Sequence, residues 1–238
     1  MRQLIRMPWI DGCVKNVLDW LYAPRCVLCT TAIESPFPLC AECRDDLPRL
    51  SRQCPRCGRA YQGIGICGQC QYKSPAFDLA IAPFHYGSPL NRLIHQFKYQ
   101  NQLHYAGVLG ELLRQEVEAR LVDFPDVIIP VPLHRLRLRQ RGFNQSLELA
   151  RPIAQALDIP LDFRSVIRIR NTSPQAELPI KKRRQNVFAA FEMRHAMPHR
   201  SIAIVDDVMT SGHTVNQLAQ RLKCGGAERV QLWVLART

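Results

Sequence analysis

"IAIVDDVMTSGHT", residues 202–214, decides how the rest of the chain is read. Four apolar residues run into two adjacent aspartates, and a turn of small residues follows. An unbroken apolar run of this kind fits a strand buried on both faces of a parallel sheet. With the strand ending at Val205, Asp206 and Asp207 sit at its carboxyl edge, where open α/β sheets hold their ligands. Val208 and Met209 lead to Thr210, Ser211, Gly212, His213 and Thr214, which enter a helix. The first N–H groups and the dipole of that helix favour an anion. An anion cradle thus lies beside two hydroxyl-accepting carboxylates, and a sugar phosphate needs both. Adjacent carboxylates repel, so they need a cation or donors nearby to remain ionised. Two other readings compete: a helix cap with a solvated acidic pair, and a phosphoacceptor aspartate. The second wants a further acidic cluster at other strand ends, and none is evident.

Outward from this stretch, strands and helices alternate. "DLAIAPFHY", "DVIIPVPL", "SVIRIR", "SIAIVDD" and "RVQLWVLAR" read as strands. "PLNRLIHQFKY", "YAGVLGELLRQEVEARL", "NQSLELARPIAQAL" and "TVNQLAQRLKCGG" read as helices. That order predicts an α/β domain with right-handed crossovers and a mostly parallel sheet. At 47% apolar, the 238 residues can bury a real core.

The chain before this domain is different. Of 10 cysteines, eight form four C-x-x-C pairs: Cys26/Cys29, Cys40/Cys43, Cys54/Cys57 and Cys67/Cys70. Each pair aims two thiolates at one point, and two pairs complete a tetrahedron around zinc. The regular spacing predicts two structural zinc ribbons, with successive pairs sharing a metal. A cross-braced pairing of first with third remains open, as does iron–sulfur ligation. Metal replaces the apolar core that so short a segment cannot build. Four thiolates leave no open position, so the sites are structural. Cys13 and Cys224 read as packed residues. The composition changes near residues 71–78, a Ser-Pro stretch. This sets the expected organisation as an amphipathic helix over 1–22, a double zinc ribbon over 23–74 and the α/β domain over 76–238.

The N-terminal segment has helical apolar spacing, but Asp11, Lys15 and Asp19 interrupt it and no small-residue cleavage site follows. Docking on a membrane surface is its rival reading. No apolar run approaches the roughly 20 residues of a membrane span. These features predict a cytoplasmic protein with reduced thiols. The net charge is +12. "HRLRLRQR", residues 134–141, carries four arginines and no acid, and residues 164–184 carry seven Lys/Arg against Glu177 alone. Such a surplus predicts a polyanionic partner: a phosphorylated small molecule, nucleic acid, or both.

Residues 202–214 resemble the 5-phosphoribosyl 1-pyrophosphate (PRPP) signature of type I phosphoribosyltransferases across its whole length. With the cysteine module, "PVPLHRLRLRQRGFNQS" and "RNTSPQAEL…KKRRQNVFAAF" in that order, the full chain resembles the ComF family, including its GntX-like members. The last pattern contributes Gln175, Arg183, Asn186 and Phe191. The resemblance implies a type I phosphoribosyltransferase-like fold that binds PRPP with Mg2+. Asp206 and Asp207 would hold the ribose, and residues 208–214 the phosphate. Arg141, Gly142, Asn144 and Gln145 would meet the pyrophosphate. Residues 170–186 would form a lid, with Lys181 to Arg184 supplying charge. His213 is expected to point to solvent, and Arg135, Arg137 and Arg139 either touch ligand or form a solvated face.

The resemblance also implies a role in DNA uptake and natural competence, with single-stranded DNA and other uptake proteins as partners. Phe143, Phe188, Phe191 and Tyr99 could stack on bases or pack in the core. Arg52, Arg56 and Arg59 offer a DNA contact on the zinc module. The alternative is an active Mg-dependent transferase that moves phosphoribose onto a base or another amine and releases pyrophosphate.

Overall fold

The alternation of strands and helices is present in the computed structural model of the chain, which describes residues 24–35, 37–99, 103–121, 123–171 and 190–238. The expected helix over 1–22, Cys13, the lid residues Gln175, Lys181 to Arg184 and Asn186, and the candidate stacking residue Phe188 lie outside the described residues. Two compact units meet in sequence between Leu47 and Pro48. The first holds Cys26, Cys29, Cys40 and Cys43 and a short helix α1, Ala41–Asp45. The second holds the other four cysteines, helix α2 (Gly68–Tyr72) and the whole sheet.

In the larger unit the strands are β1 (Leu79–Ile81), β2 (Phe84–His85), β3 (Val127–Pro130), β6 (Ser201–Met209) and β7 (Arg229–Arg237). They form one sheet in the order β1-β7-β6-β3, with β2 also on β7, and every pairing is parallel. Strands β4 (Val166–Arg168) and β5 (Phe191–Met193) make a separate antiparallel pair. The helices are α3 (Leu90–Tyr99), α4 (His104–Arg120), α5 (Arg135–Arg141), α6 (Gln145–Ala156) and α7 (His213–Cys224). Helices α4 and α6 pack on each other and on the sheet, and α7 packs on β5, β6 and β7.

Period-two alternation divides the core. Ile202, Ile204, Val230, Leu232 and Val234 join Val215, Leu218 and Leu222 of α7 in one cluster. Their strand neighbours Ala203, Val205, Trp233 and Leu235 are equally buried but turn to the other face. Burial on both faces explains why these strands read as continuous apolar runs.

The sheet edge at β1 and β2 is not left open. Residues 48–60 run beside it: Pro48 O accepts from His85 N at 2.7 Å, Leu50 N donates to Pro83 O at 2.8 Å, and Pro55 O accepts from Ala80 N at 2.9 Å. The second ribbon therefore covers unpaired backbone that would otherwise recruit another strand.

Two boundaries differ from the sequence reading. Strand β6 does not stop at Val205. Its pairing with β3 ends at Pro130–Val205, while its pairing with β7 continues to Met209–Arg237. Asp206 and Asp207 thus lie within a strand that has lost one neighbour. The arginine-rich stretch 135–141, placed in no strand or helix by the sequence pattern, is helix α5, capped by the His134 ring and stopped by Gly142 at φ 78°. Among the candidate stacking aromatics, Phe191 is 1% exposed in the core, and Phe143 is half-buried against Phe97 at 5.6 Å. No helix among the described residues is long and apolar enough to cross a membrane.

Candidate functional site

The two cysteine knuckle pairs repeat one local design. The residue before the first cysteine bridges the residue six after it, Arg25 with Ala32 and Gln53 with Ala60. A left-handed residue closes each knuckle, Thr30 at φ 64° and Gly58 at φ 67°. The third cysteine of each set, Cys40 or Cys67, stands at the N-cap of the following short helix. The sulfurs of Cys26, Cys29, Cys40 and Cys43 gather at one point, and those of Cys54, Cys57, Cys67 and Cys70 at another, each set within 4.8 Å. Pairing is therefore sequential and not cross-braced.

Zinc fits both sets. A tetrahedron with Zn–S bonds of about 2.3 Å has S–S edges of about 3.8 Å. Cys29 and Cys40 lie 3.7 Å apart, and Cys57 and Cys67 lie 3.8 Å apart. Charge points the same way. The Thr31 hydroxyl and backbone N–H bring the Cys29 thiol down to about 6. Burial pushes Cys54 up, but backbone donors at Cys67 and Cys57 outweigh it and hold it at about 7. Burial, helped by neighbouring thiols, drives Cys43 and Cys70 far up. Each cluster gives up a first proton easily and resists giving up the last, so four thiolates together require a cation. These are two four-cysteine zinc-binding sites.

The acidic pair is split by the pleat of β6. Asp207, 6% exposed, turns to α3, where its Oδ2 lies 2.8 Å from Lys98 Nζ. Its Oδ1 accepts from Val208 N at 2.6 Å. Asp206 meets the start of α6, where the Ser146 hydroxyl donates to its Oδ1 at 2.8 Å. Burial, and then the charge of Asp207, push the Asp206 carboxyl up to about 7 against the Ser146 bond and Lys98. Asp206 keeps part of its surface open, whereas Asp207 is closed in.

Beyond Met209 the chain turns through exposed Thr210 and Ser211 to Gly212, which takes φ 74° at the N-cap of α7 with no side-chain cap. A Cβ there would meet Met209 Sδ at 3.3 Å. The first N–H groups of a helix have no intrahelical acceptor, and no capping side chain takes them. His213 is exposed, with Nδ1 2.7 Å from Ser211 Oγ, and Thr214 lies in the first turn.

On the β3 side, "RGFNQ" is first a joint between two helices. Asn144 Nδ2 donates to Val131 O at 3.1 Å and its Oδ1 accepts from Ser146 N at 3.1 Å, so its amide is already engaged. Arg141 donates to Gln145 Oε1 at 3.1 Å. The Gln145 Nε2 is buried without a partner. Arg135 and Arg139 are exposed on α5, and Arg137 is half-buried. The position of Arg183 lies outside the described residues.

Sequence reasoning missed Lys98, Ser146 and Arg168. Arg168 of β4 lies within electrostatic reach of both Asp206 and Arg137. Lys98 had a signal: it follows Phe97 on the border of the α3 apolar face formed by Leu90, Ile94 and Phe97. The other two had none, because only topology brings them to the acids.

Comparison with known proteins agrees with this geometry. Residues 17–71 match a double zinc ribbon domain and residues 144–238 a phosphoribosyl transferase domain. Competence protein F of Haemophilus influenzae is 35% identical over 222 residues, covering 90% of this chain and 96% of that protein. The chain belongs to the ComF family. DNA utilization protein YhgH of Salmonella typhimurium is 35% identical over 219 residues, covering 90% of this chain and 96% of its own. The ComF relative of Bacillus subtilis, competence protein ComFC, is 24% identical over 211 residues and 84% of each chain. The large unit is thus a phosphoribosyltransferase-like parallel sheet, and the cysteine module is the double ribbon of the ComF family.

Proposed function

We propose that PRPP docks at the carboxyl end of β6 and that the protein serves the use of external DNA in the cytoplasm, with single-stranded DNA as a partner. In this reading residues 23–74 are the zinc ribbons and residues 76–238 carry the ligand. The 5-phosphate takes the open N–H groups of α7, Asp206 accepts the ribose hydroxyls, and the pyrophosphate extends toward Arg141 and Gln145. Asp207 is committed to Lys98, 2.8 Å away, and supports the site from behind. Mg2+ arrives with the pyrophosphate as its counterion, since this cation binds chiefly through phosphates and water.

One observation carries the reading. Asp206, partly open and short of charge compensation, stands a few residues before a helix N-terminus that no side chain fills. The names of the family relatives support the DNA role. Calorimetric titration of PRPP with Mg2+ tests the site. Asp206→Asn combined with Asp207→Asn should lower affinity at least about tenfold, the order of losing a hydrogen bond to a charged group. Unaltered affinity would refute the sugar contact.

A second reading, an active transferase, draws on the same carboxyl. A group titrating near neutrality can take the proton of an amine as it attacks ribose C1. The new C1–N bond forms as the C1–O bond breaks, and pyrophosphate leaves with the electron pair. That reading requires pyrophosphate release dependent on an added acceptor. Absence of release across a broad panel of bases and amines would remove it and leave PRPP as a bound ligand.

A further inference from the structure

Within the larger unit, a cleft of about 330 Å3 opens between the second ribbon and the phosphate loop. Ser211, Gly212 and His213 form one wall, and Arg59, Lys73 and Arg237 supply its charge. No carboxylate lines it among the described residues. Arg237, the last residue of β7, is the informative one. It is 5% exposed, and its Nε and Nη1 have no hydrogen-bond partner. A guanidinium is always charged and offers five donors. Burying such donors unpaired is strongly unfavourable, so a built site for an anion is the natural reason for them.

The second ribbon accounts for part of this charge. Cys57, Cys70 and Cys67 lie within electrostatic reach of Arg237. With zinc bound, four thiolates carry two net negative charges, which offset part of the charge on Arg237. Arg59 and Lys73 add two further cations, so a positive surplus remains in the cleft. Position separates this surplus from the PRPP site. Strand β6 has β3 on one side and β7 on the other. The segment proposed for pyrophosphate follows β3, and the cleft belongs to the β7 side. PRPP lying from α7 toward β3 brings its 5-phosphate to the Ser211–His213 wall only and leaves Arg237, Arg59 and Lys73 to a second anion.

We infer that this cleft is a second anion subsite, which takes a phosphate ester through Arg237, Arg59 and Lys73 beside the phosphate loop. The inference rests on the PRPP reading for the identity of its neighbour. The ester comes either from a free nucleotide or from the phosphodiester of a single strand.

The test uses the full zinc-loaded chain saturated with PRPP and Mg2+, titrated with thymidine 5′-monophosphate and with a short oligothymidylate. Binding of either ligand to the PRPP-saturated protein is expected. Arg237→Gln should weaken it about 30-fold and Lys73→Gln about threefold, with PRPP affinity unchanged. Equal affinity for both ligands identifies a free ester as sufficient, and binding of the oligonucleotide alone identifies a strand; both support the subsite. No binding of either ligand overturns it. So does binding that neither variant alters, or loss of zinc from Arg237→Gln with Lys73→Gln binding as wild type, because Arg237 then serves the metal alone. If PRPP itself does not bind, the loop reading fails separately, and the same titrations without PRPP still judge the cleft.

Discussion

Asp206 holds its proton to about pH 7 because burial and the charge of Asp207 both act against its ionised form. In the unfolded chain the same group ionises near 3.9. Below that value the carboxyl is protonated in both states and the perturbation has no effect. As pH rises from about 4 to about 7, the unfolded state releases the proton and the folded state does not, so stability is lost; above 7 the penalty is complete. Asparagine cannot ionise. Asp206→Asn should therefore stabilise the protein at pH 8 and leave it nearly unchanged at pH 4. Three pH units correspond to about 4 kcal/mol, but the residue is half-buried and not closed in, so about 1–2 kcal/mol is expected. Urea denaturation at the two pH values measures it. A variant with no advantage at pH 8 would show that Asp206 is not held against its preference. A stability gain coupled to lost PRPP affinity is the behaviour of a residue kept for binding.

The two ribbons share one local plan but differ in how it is held. At the left-handed position Gly58 is free of strain, whereas Thr30 carries a β-branched side chain at φ 64°. The four cysteines of the second site are all buried, while Cys29 is exposed and Cys40 and Cys43 half-exposed at the first. Zinc should leave in two phases under a chelator, with the fast one from the first site. Cys43→Ser should abolish the fast phase and leave the large unit folded. Cys57→Ser should abolish the slow phase and lower the melting temperature of the large unit, because residues 48–60 cover its β1–β2 edge. Metal release followed by a chromogenic chelator decides this, and a single phase for both sites would contradict it. The knuckles, the parallel sheet and the turn into α7 were all legible in the sequence, since spacing and apolar runs are local signals. The end of β6 was not, because β3 stops at Val205 while β7 continues to Met209, and no local residue records which neighbour is lost. Nor was α5: "RLRLRQR" alternates with period two, yet it coils between the His134 cap and Gly142. Ser146 was hidden for the same reason, being 60 residues from the carboxylate it meets (206 − 146), and the local signal at Lys98 does not say that it reaches Asp207, 109 residues on (207 − 98).

Over the whole molecule the net charge of +12 exceeds what one PRPP needs. A single strand offers a use for the rest. Helix α5 presents Arg135 and Arg139 to solvent alongside Leu136 and Leu138, which are 49% and 40% exposed. Cations can meet phosphates while the leucines meet base edges or faces, the pairing of charge and apolar surface that strand binding uses. Each phosphate neutralised on a single strand contributes about −0.7 to the slope of log K against log salt. With roughly four to six phosphates engaged, the slope should be about −3 to −4. Arg135→Gln with Arg139→Gln should make it shallower by about 1.4 and leave PRPP affinity as it is. Fluorescence anisotropy of a labelled oligothymidylate across a salt series reads both quantities. A slope that the double variant does not change would place the strand away from α5, and no binding at about 100 mM salt, well within the range of nonspecific strand binders, would remove DNA as a direct partner.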